Sequence, residues 1–179
     1  MKEQAARRIE SAPKYVKLSP KAKRSLIGWL SEQQQVAELV VEDWMALLSH
    51  ELERHAQAPR NILDRIVRHF SDSREGHKAE LRDHELRLGD INAALLQVKS
   101  GRVDRAERLL QYEINHCVGY LNLMMSPLSG EHFPGYEDAP QQAYDDGLKA
   151  VAVLRYINPT DAAKHQRFFH RVEKHIANL

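Results

Sequence analysis

The sequence has one cysteine, no long apolar run and no glycine-rich loop, and each absence excludes a class of protein. A lone Cys117 rules out an internal disulfide and fits a reducing compartment. No apolar stretch approaches the roughly 20 residues of a membrane span, and the N-terminus does not resemble a signal peptide. A phosphate-cradling loop of the P-loop kind is missing as well. We therefore expect a cytoplasmic protein with no membrane contact.

Apolar residues recur at three- and four-residue steps along most of the chain, which is the period of amphipathic helices. No segment shows the two-residue alternation of a half-buried strand. Short connections between helices favour antiparallel neighbours. The sequence therefore predicts an all-α protein, an antiparallel bundle of about five to six helices over residues 19–179. Residues 1–18 lack an apolar period, and we expect a flexible basic arm whose removal leaves the melting temperature nearly unchanged.

Capping and breaking residues predict where the helices begin and end. Ser19-Pro20 is typical of a helix start, and the first helix should run to about residue 57. Asn61 should begin a short helix, and 71–76 should form a turn before a second long helix that ends at Gly101. The remaining helices are expected from about 103 to before Pro127, from about Gln141 to Leu154, and after Asn158-Pro159-Thr160, with a long loop over 126–140.

Charge is unevenly distributed although the formal net charge is only +1. Residues 1–25 carry eight basic and two acidic side chains, whereas 126–147 carry five acidic and no basic ones. Basic segments can follow a phosphate backbone without sequence preference. The candidate nucleic-acid contacts in this part of the chain are Arg7, Arg8, Lys21, Lys23 and Arg24. The alternative is an ordinary solvated tail.

The final helix carries a second basic group. Lys164, Arg167, Arg171 and Lys174 follow three-four-three spacing, which places them on one helix face. Such a row can bind phosphates or an acidic peptide, while the neighbouring phenylalanines pack into the bundle. The alternative is a charged face that only keeps the helix soluble.

Catalytic patterns are missing. His50 and His55 are five residues apart and so cannot share a helix face, and the same holds for His165, His170 and His175. Glu51/His55 and Glu80/His84 do share faces, but such pairs are common on exposed helices. Cys117 lies on an apolar face, as a buried structural thiol would. We expect no catalytic residue, metal, cofactor or small-molecule substrate, and hence no enzyme.

Two segments resemble the replication restart protein PriC family. That family has a terminal signature close to His-Gln-x-aromatic-Glu-Arg-Arg-Leu, and here His165-Gln166, Phe168 and Arg171-Val172 match it. Phe169 and His170 replace the expected Glu and first Arg. Residues 88–121 are similar to the family's central helix pair, with His116 where a Gln is expected. The resemblance covers about 60 of the 179 residues; residues 1–60 and the acidic loop do not match.

The resemblance implies an all-helical adaptor at stalled replication forks. It would bind single-stranded DNA and the acidic tail of single-stranded DNA-binding protein, and help to reload the replicative helicase. Arg171 is the family-matched candidate for the carboxylates of the tail, and a guanidinium can hold a carboxylate through two hydrogen bonds. The alternative function is a helical regulator of a phage or plasmid type that binds a host protein and inhibits or redirects it.

Overall fold

The computed structural model describes residues 14–57, 60–125 and 139–176, of which 51, 53–57, 60–74 and 174–176 are described by their backbone alone. In these ranges the chain forms five helices and no strand, which confirms the all-α bundle. The helices are α1 (Pro20–Gln57), α2 (Arg60–Lys99), α3 (Asp104–Met124), α4 (Ala139–Leu154) and α5 (Pro159–Ile176).

Successive helices run antiparallel, as the contacts between them show. Trp44 of α1 stacks against His77 and His84 of α2, and Lys23 at the start of α1 donates to the carbonyl of Lys99 at the end of α2. Between α2 and α3, Arg87 pairs with Glu113. Asn158, just after α4, contacts Glu107 at the start of α3, and Tyr144 of α4 contacts Phe169 of α5. Antiparallel neighbours are therefore found both across the short connections predicted from the sequence and across the longer segment between α3 and α4.

Local chemistry explains two of the helix ends. The Ser19 hydroxyl accepts a hydrogen bond from the Ala22 amide at 3.2 Å, so Ser19 caps α1 as predicted. At the end of α2, Gly101 adopts a φ of 86°, which side chains with a Cβ seldom tolerate. Its amide donates to the Val98 carbonyl, and the Arg102 amide donates to the Gln97 carbonyl at 3.1 Å. This pair of bonds is the Schellman ending that a C-terminal glycine favours.

The predicted turn at residues 71–76 is wrong, because α2 continues through it as one helix of 40 residues. Two serines, an aspartate and Gly76 suggested a break there. A single glycine costs a helix only about 1 kcal/mol, however, and Gly76 has no positive φ, while a Cβ there would meet nothing within 4 Å. Because α2 pairs with the equally continuous α1, this cost is not enough to divide it.

The core lies where all five helices meet. Its largest fully buried side chains include Leu26 and Leu30 of α1, Leu110 of α3, Leu154 of α4 and Phe169 of α5. The apolar period of α1 runs from Leu26 to Leu52, but Leu52 is 49% exposed, so the outer end of this apolar face does not enter the core.

Residues 14–18 contact the bundle, so the prediction of a flexible arm over 1–18 does not hold for this part; 1–13 lie outside the described residues. The Val103 amide donates to the Lys14 carbonyl at 2.9 Å, and the Val16 amide donates to the Gly101 carbonyl at 3.2 Å. The Lys14 ammonium pairs with Glu107 at 2.7 Å. Val16 and Leu18 pack partly buried against the core.

Removing residues 1–18 is therefore expected to destabilise the protein by about 2–4 kcal/mol. The loss combines two backbone hydrogen bonds and two partly buried apolar side chains. Thermal or urea unfolding of the truncated chain measures it. A truncation that ends at residue 13 keeps all of these contacts and is the control. Equal stability of the two truncated chains would show that the 14–18 segment contributes nothing.

Candidate nucleic-acid interface

One end of the bundle brings together three segments that are distant in sequence. Asn158, in the turn between α4 and α5, donates through Nδ2 to Glu107 in the first turn of α3 at 2.8 Å. The same carboxylate accepts from Lys14, which precedes α1. Lys23 of α1 reaches the carbonyl of Lys99 at 2.9 Å. The start of α1, the α2–α3 turn and the α4–α5 turn therefore form a single surface.

This end of the bundle is strongly basic. Residues 14–24 carry five Lys or Arg and no acid, 97–108 carry four against two acids, and 155–164 carry two against one. The three segments thus carry eleven basic and three acidic side chains, and Asp90 of α2 reaches Arg105 from outside them, whereas residues 25–53 of α1 carry six acids and no Lys or Arg. We call the three segments 14–24, 97–108 and 155–164 the basic end. Its net charge of +8 attracts polyanions.

Most cations of the basic end have no carboxylate partner within the described ranges. Ion pairs hold only Lys14 to Glu107, Arg102 to Asp104, Arg105 to Asp90 and Lys164 to Asp161. The remaining cations form no described ion pair and comprise Lys17, Lys21, Lys23, Arg24, Lys99, Arg108 and Arg155. Unneutralised charge of this kind is available to a ligand.

The first turn of α1 makes the arrangement more favourable for anions. The N-terminus of a helix carries a partial positive charge, and acidic residues normally lie there. The first turns of α3 and α5 follow this rule with Asp104 and Asp161, whereas those of α1, α2 and α4 have no acid. In α1, Lys21, Lys23 and Arg24 instead add their charges to the helix dipole. This repulsion opposes folding and is relieved when an anion binds.

The predicted row on α5 begins at this end and leads away from it. Lys164, Arg167 and Arg171 are exposed and, with His170, line a shallow depression of about 480 Å³. Lys164 donates a hydrogen bond to the Asp161 carboxylate, so part of its positive charge is neutralised. The same bond lowers the pKa of the Asp161 carboxyl. Arg167 donates only to the Ala163 carbonyl. Arg171 has no partner among the described residues, unlike Lys164 and Arg167, the other two cations of the row whose side chains are described.

The structure brings described members of both predicted basic groups to the same end of the bundle. Lys21, Lys23 and Arg24 lie at the basic end, where Lys164 begins the α5 row. Lys174 continues the spacing of the row, but its side chain lies outside the described residues, as do Arg7 and Arg8. The sequence prediction missed Lys17, Lys99, Arg108 and Arg155. Lys99 and Arg155 stand where helices end, and cations at such positions are the signal that could have found them.

Several side chains of catalytic type can be placed in the structure. Cys117 is buried, and this burial raises the pKa of its thiol to about 12, so the reactive thiolate is suppressed. Burial also lowers the pKa of His165. His84 lies against Trp44, and the described residues hold no group of three or more His, Cys, Asp or Glu side chains that could bind a metal.

None of the described helices combines the length and the apolar character needed to cross a membrane. Comparison with known proteins adds no relative: no protein-family model, curated protein or solved structure matches the chain. The chain is therefore assigned only to a structural class: it is an all-α bundle with one strongly basic end.

Proposed function

We propose that this protein is a non-enzymatic, nucleic-acid-associated adaptor whose basic end binds single-stranded DNA. The observation that supports it most is the convergence of eleven Lys or Arg at this end, with three carboxylates among them. A structural role does not require so many uncompensated charges, because they repel one another and oppose folding. Phosphates of a nucleic acid would relieve that repulsion and release counterions on binding.

The α5 row would give the adaptor its second contact. The resemblance to the PriC family favours the acidic tail of single-stranded DNA-binding protein as the ligand here, and the replicative helicase as the protein that is reloaded. Arg171 is exposed, free of partners within the described chain and matched to the family signature. Its guanidinium can hold a carboxylate through two hydrogen bonds, which an ammonium cannot do in the same geometry.

Fluorescence anisotropy with labelled oligothymidylate at several salt concentrations tests DNA binding. We expect the affinity to fall as salt rises, with a logarithmic slope of about −0.7 for each phosphate neutralised. The double variant Lys21→Glu/Arg24→Glu should make this slope shallower by about 1.4. Arg82→Glu, an exposed α2 arginine outside the basic end, is the matched control. Equal affinity and slope for all three proteins would contradict DNA binding at this end.

Arg171→Ala is expected to weaken binding of a peptide with an acidic, apolar-ended tail by roughly ten- to a hundredfold. This corresponds to loss of a charge-assisted hydrogen-bonded pair, worth about 1.5–3 kcal/mol. Stability should change by no more than about 0.5 kcal/mol, because the side chain is exposed. Arg82→Ala provides the control. If wild type and Arg171→Ala bind the peptide with equal affinity at low salt, the α5 row is only a solvent-exposed charged face.

A further inference from the structure

The middle of α1 presents an apolar stripe that no described part of the chain covers. Val36, Leu39, Val40, Asp43 and Leu47 share one face at helical spacing, about 90° from the face that packs on α2. Val36 is 53% exposed, Leu39 61% and Leu47 41%, while Val40 is half-buried. We call these five residues the α1 stripe. It runs for about 17 Å along the helix, or three turns.

The N-terminal part of the same α1 face is covered by α4. Trp29 lies on the same face, two turns before Val36, and is buried in the core cluster. Between them Glu32 pairs with Lys149 of α4. The first part of this face is therefore already occupied by α4, which makes apolar contacts and places a lysine at their edge. Beyond Glu32 the face continues without such a cover among the described residues.

The exposed charges on and beside the α1 stripe are acidic. Asp43 lies within the stripe and Glu42 lies three residues from Leu39, whereas Glu38 lies on the far side of the helix; residues 25–53 of α1 carry no Lys or Arg. On α4, Asp145 and Asp146 are exposed near Glu32. An apolar strip with acidic flanks is complementary to an apolar strip with basic flanks. This charge also separates the stripe from the basic end, which would attract ligands of the opposite kind.

We propose that the α1 stripe is a docking face for an amphipathic helix of another protein, with apolar anchors at three- and four-residue spacing flanked by Lys or Arg. Leu39 and Leu47 are the anchors on this side, and Asp43 receives a basic group of the partner. A second copy of the chain fits poorly, because its own stripe would set acid against acid.

The test uses a labelled synthetic helix of about 14 residues, with leucines at helical spacing and lysines beside them, bound to the full-length protein. Leu39→Glu is the informative variant, because it removes an apolar anchor while making the face more acidic. We expect it to weaken binding about tenfold or more, and Asp43→Lys to weaken binding as well. Leu96→Glu, at a leucine of α2 that is 66% exposed, makes the same charge change elsewhere and should leave the affinity unchanged.

Three results would overturn the proposal. Binding that Leu39→Glu leaves equal or strengthens would mean that charge alone attracts the peptide. Equal binding of a peptide with glutamates in place of its lysines would remove the argument from charge. Sedimentation that shows a dimer of the protein, dispersed by Leu39→Glu, would assign the stripe to a second copy. Because DNA binding is measured at the basic end with other variants, failure here and failure of the proposed function are distinguishable.

Discussion

Replacing Phe169 with alanine is expected to destabilise the bundle by about 3–5 kcal/mol, which is a large part of the stability of a domain of this size. Phe169 is fully buried, and its ring meets the edge of Tyr144 on α4 and of Phe168 on the same helix. Truncation removes the apolar transfer free energy of the ring and leaves a cavity between α4 and α5 that rigid neighbours cannot fill.

Phe168→Ala is the matched comparison, because it removes the same group one residue earlier. Phe168 packs only partly buried against the core, so we expect a smaller loss. Urea unfolding monitored by circular dichroism at 222 nm measures both variants, and the slope against urea should stay the same. If Phe168→Ala lowers the free energy of unfolding as much as Phe169→Ala does, α5 is rotated about its axis differently from the structure described.

This pair shows how far the sequence determines α5. Phe168 and Phe169 both lie at helical spacing to Val172, so periodicity predicted that the helix buries an aromatic face without deciding which ring enters the core. The choice depends on where α4 approaches, and that is a tertiary contact. The helix itself was predictable, since Asn158 caps it by accepting from the Asp161 amide and Pro159 occupies its first position.

The α1 stripe escaped the sequence analysis for a related reason. Ala37, Val40 and Val41 all belong to the apolar period of α1, but only Ala37 and Val41 are buried, whereas Val40 is half-buried. Val36, Leu39 and Leu47 carry the same apolar character on a neighbouring face, and nothing in the sequence says how far the other helices extend along α1. Periodicity identifies apolar faces, but only the assembled bundle shows which of them remain uncovered.

The residues of the candidate site also fall into those that the sequence predicted and those that it did not. Lys21, Lys23 and Arg24 were found because they are neighbours in sequence, and the α5 row because it follows the helical period. The basic end as a whole was not predictable, since it depends on Lys99 and Arg155 reaching one surface from the ends of two different helices. That convergence follows from antiparallel packing, which places the start of one helix beside the end of the one before it.

Gly147→Ala is expected to destabilise the protein by about 1–3 kcal/mol, the usual cost of overpacking a core. A Cβ at this position would overlap the Cζ and Cε1 atoms of Phe169 and lie 3.2 Å from the Cβ of Cys117. Gly147 is therefore what allows α4 to approach α3 and α5 so closely. A helix interior otherwise favours alanine over glycine by about 0.5–1 kcal/mol, so the clash must exceed that gain for the variant to be less stable.

Gly28→Ala and Gly119→Ala are the matched controls, because both glycines are exposed within helices and a Cβ there meets nothing within 4 Å. They should stabilise the protein by about 0.5–1 kcal/mol each, the opposite sign to Gly147→Ala. Phe169→Leu replaces the ring with a smaller side chain and should make room for part of the added Cβ. In the double variant with Gly147→Ala the two losses are then expected to be less than additive by about 0.5–3 kcal/mol. Full additivity, or a Gly147→Ala protein as stable as the Gly119→Ala protein, would show that α4 and α5 are not held at this distance.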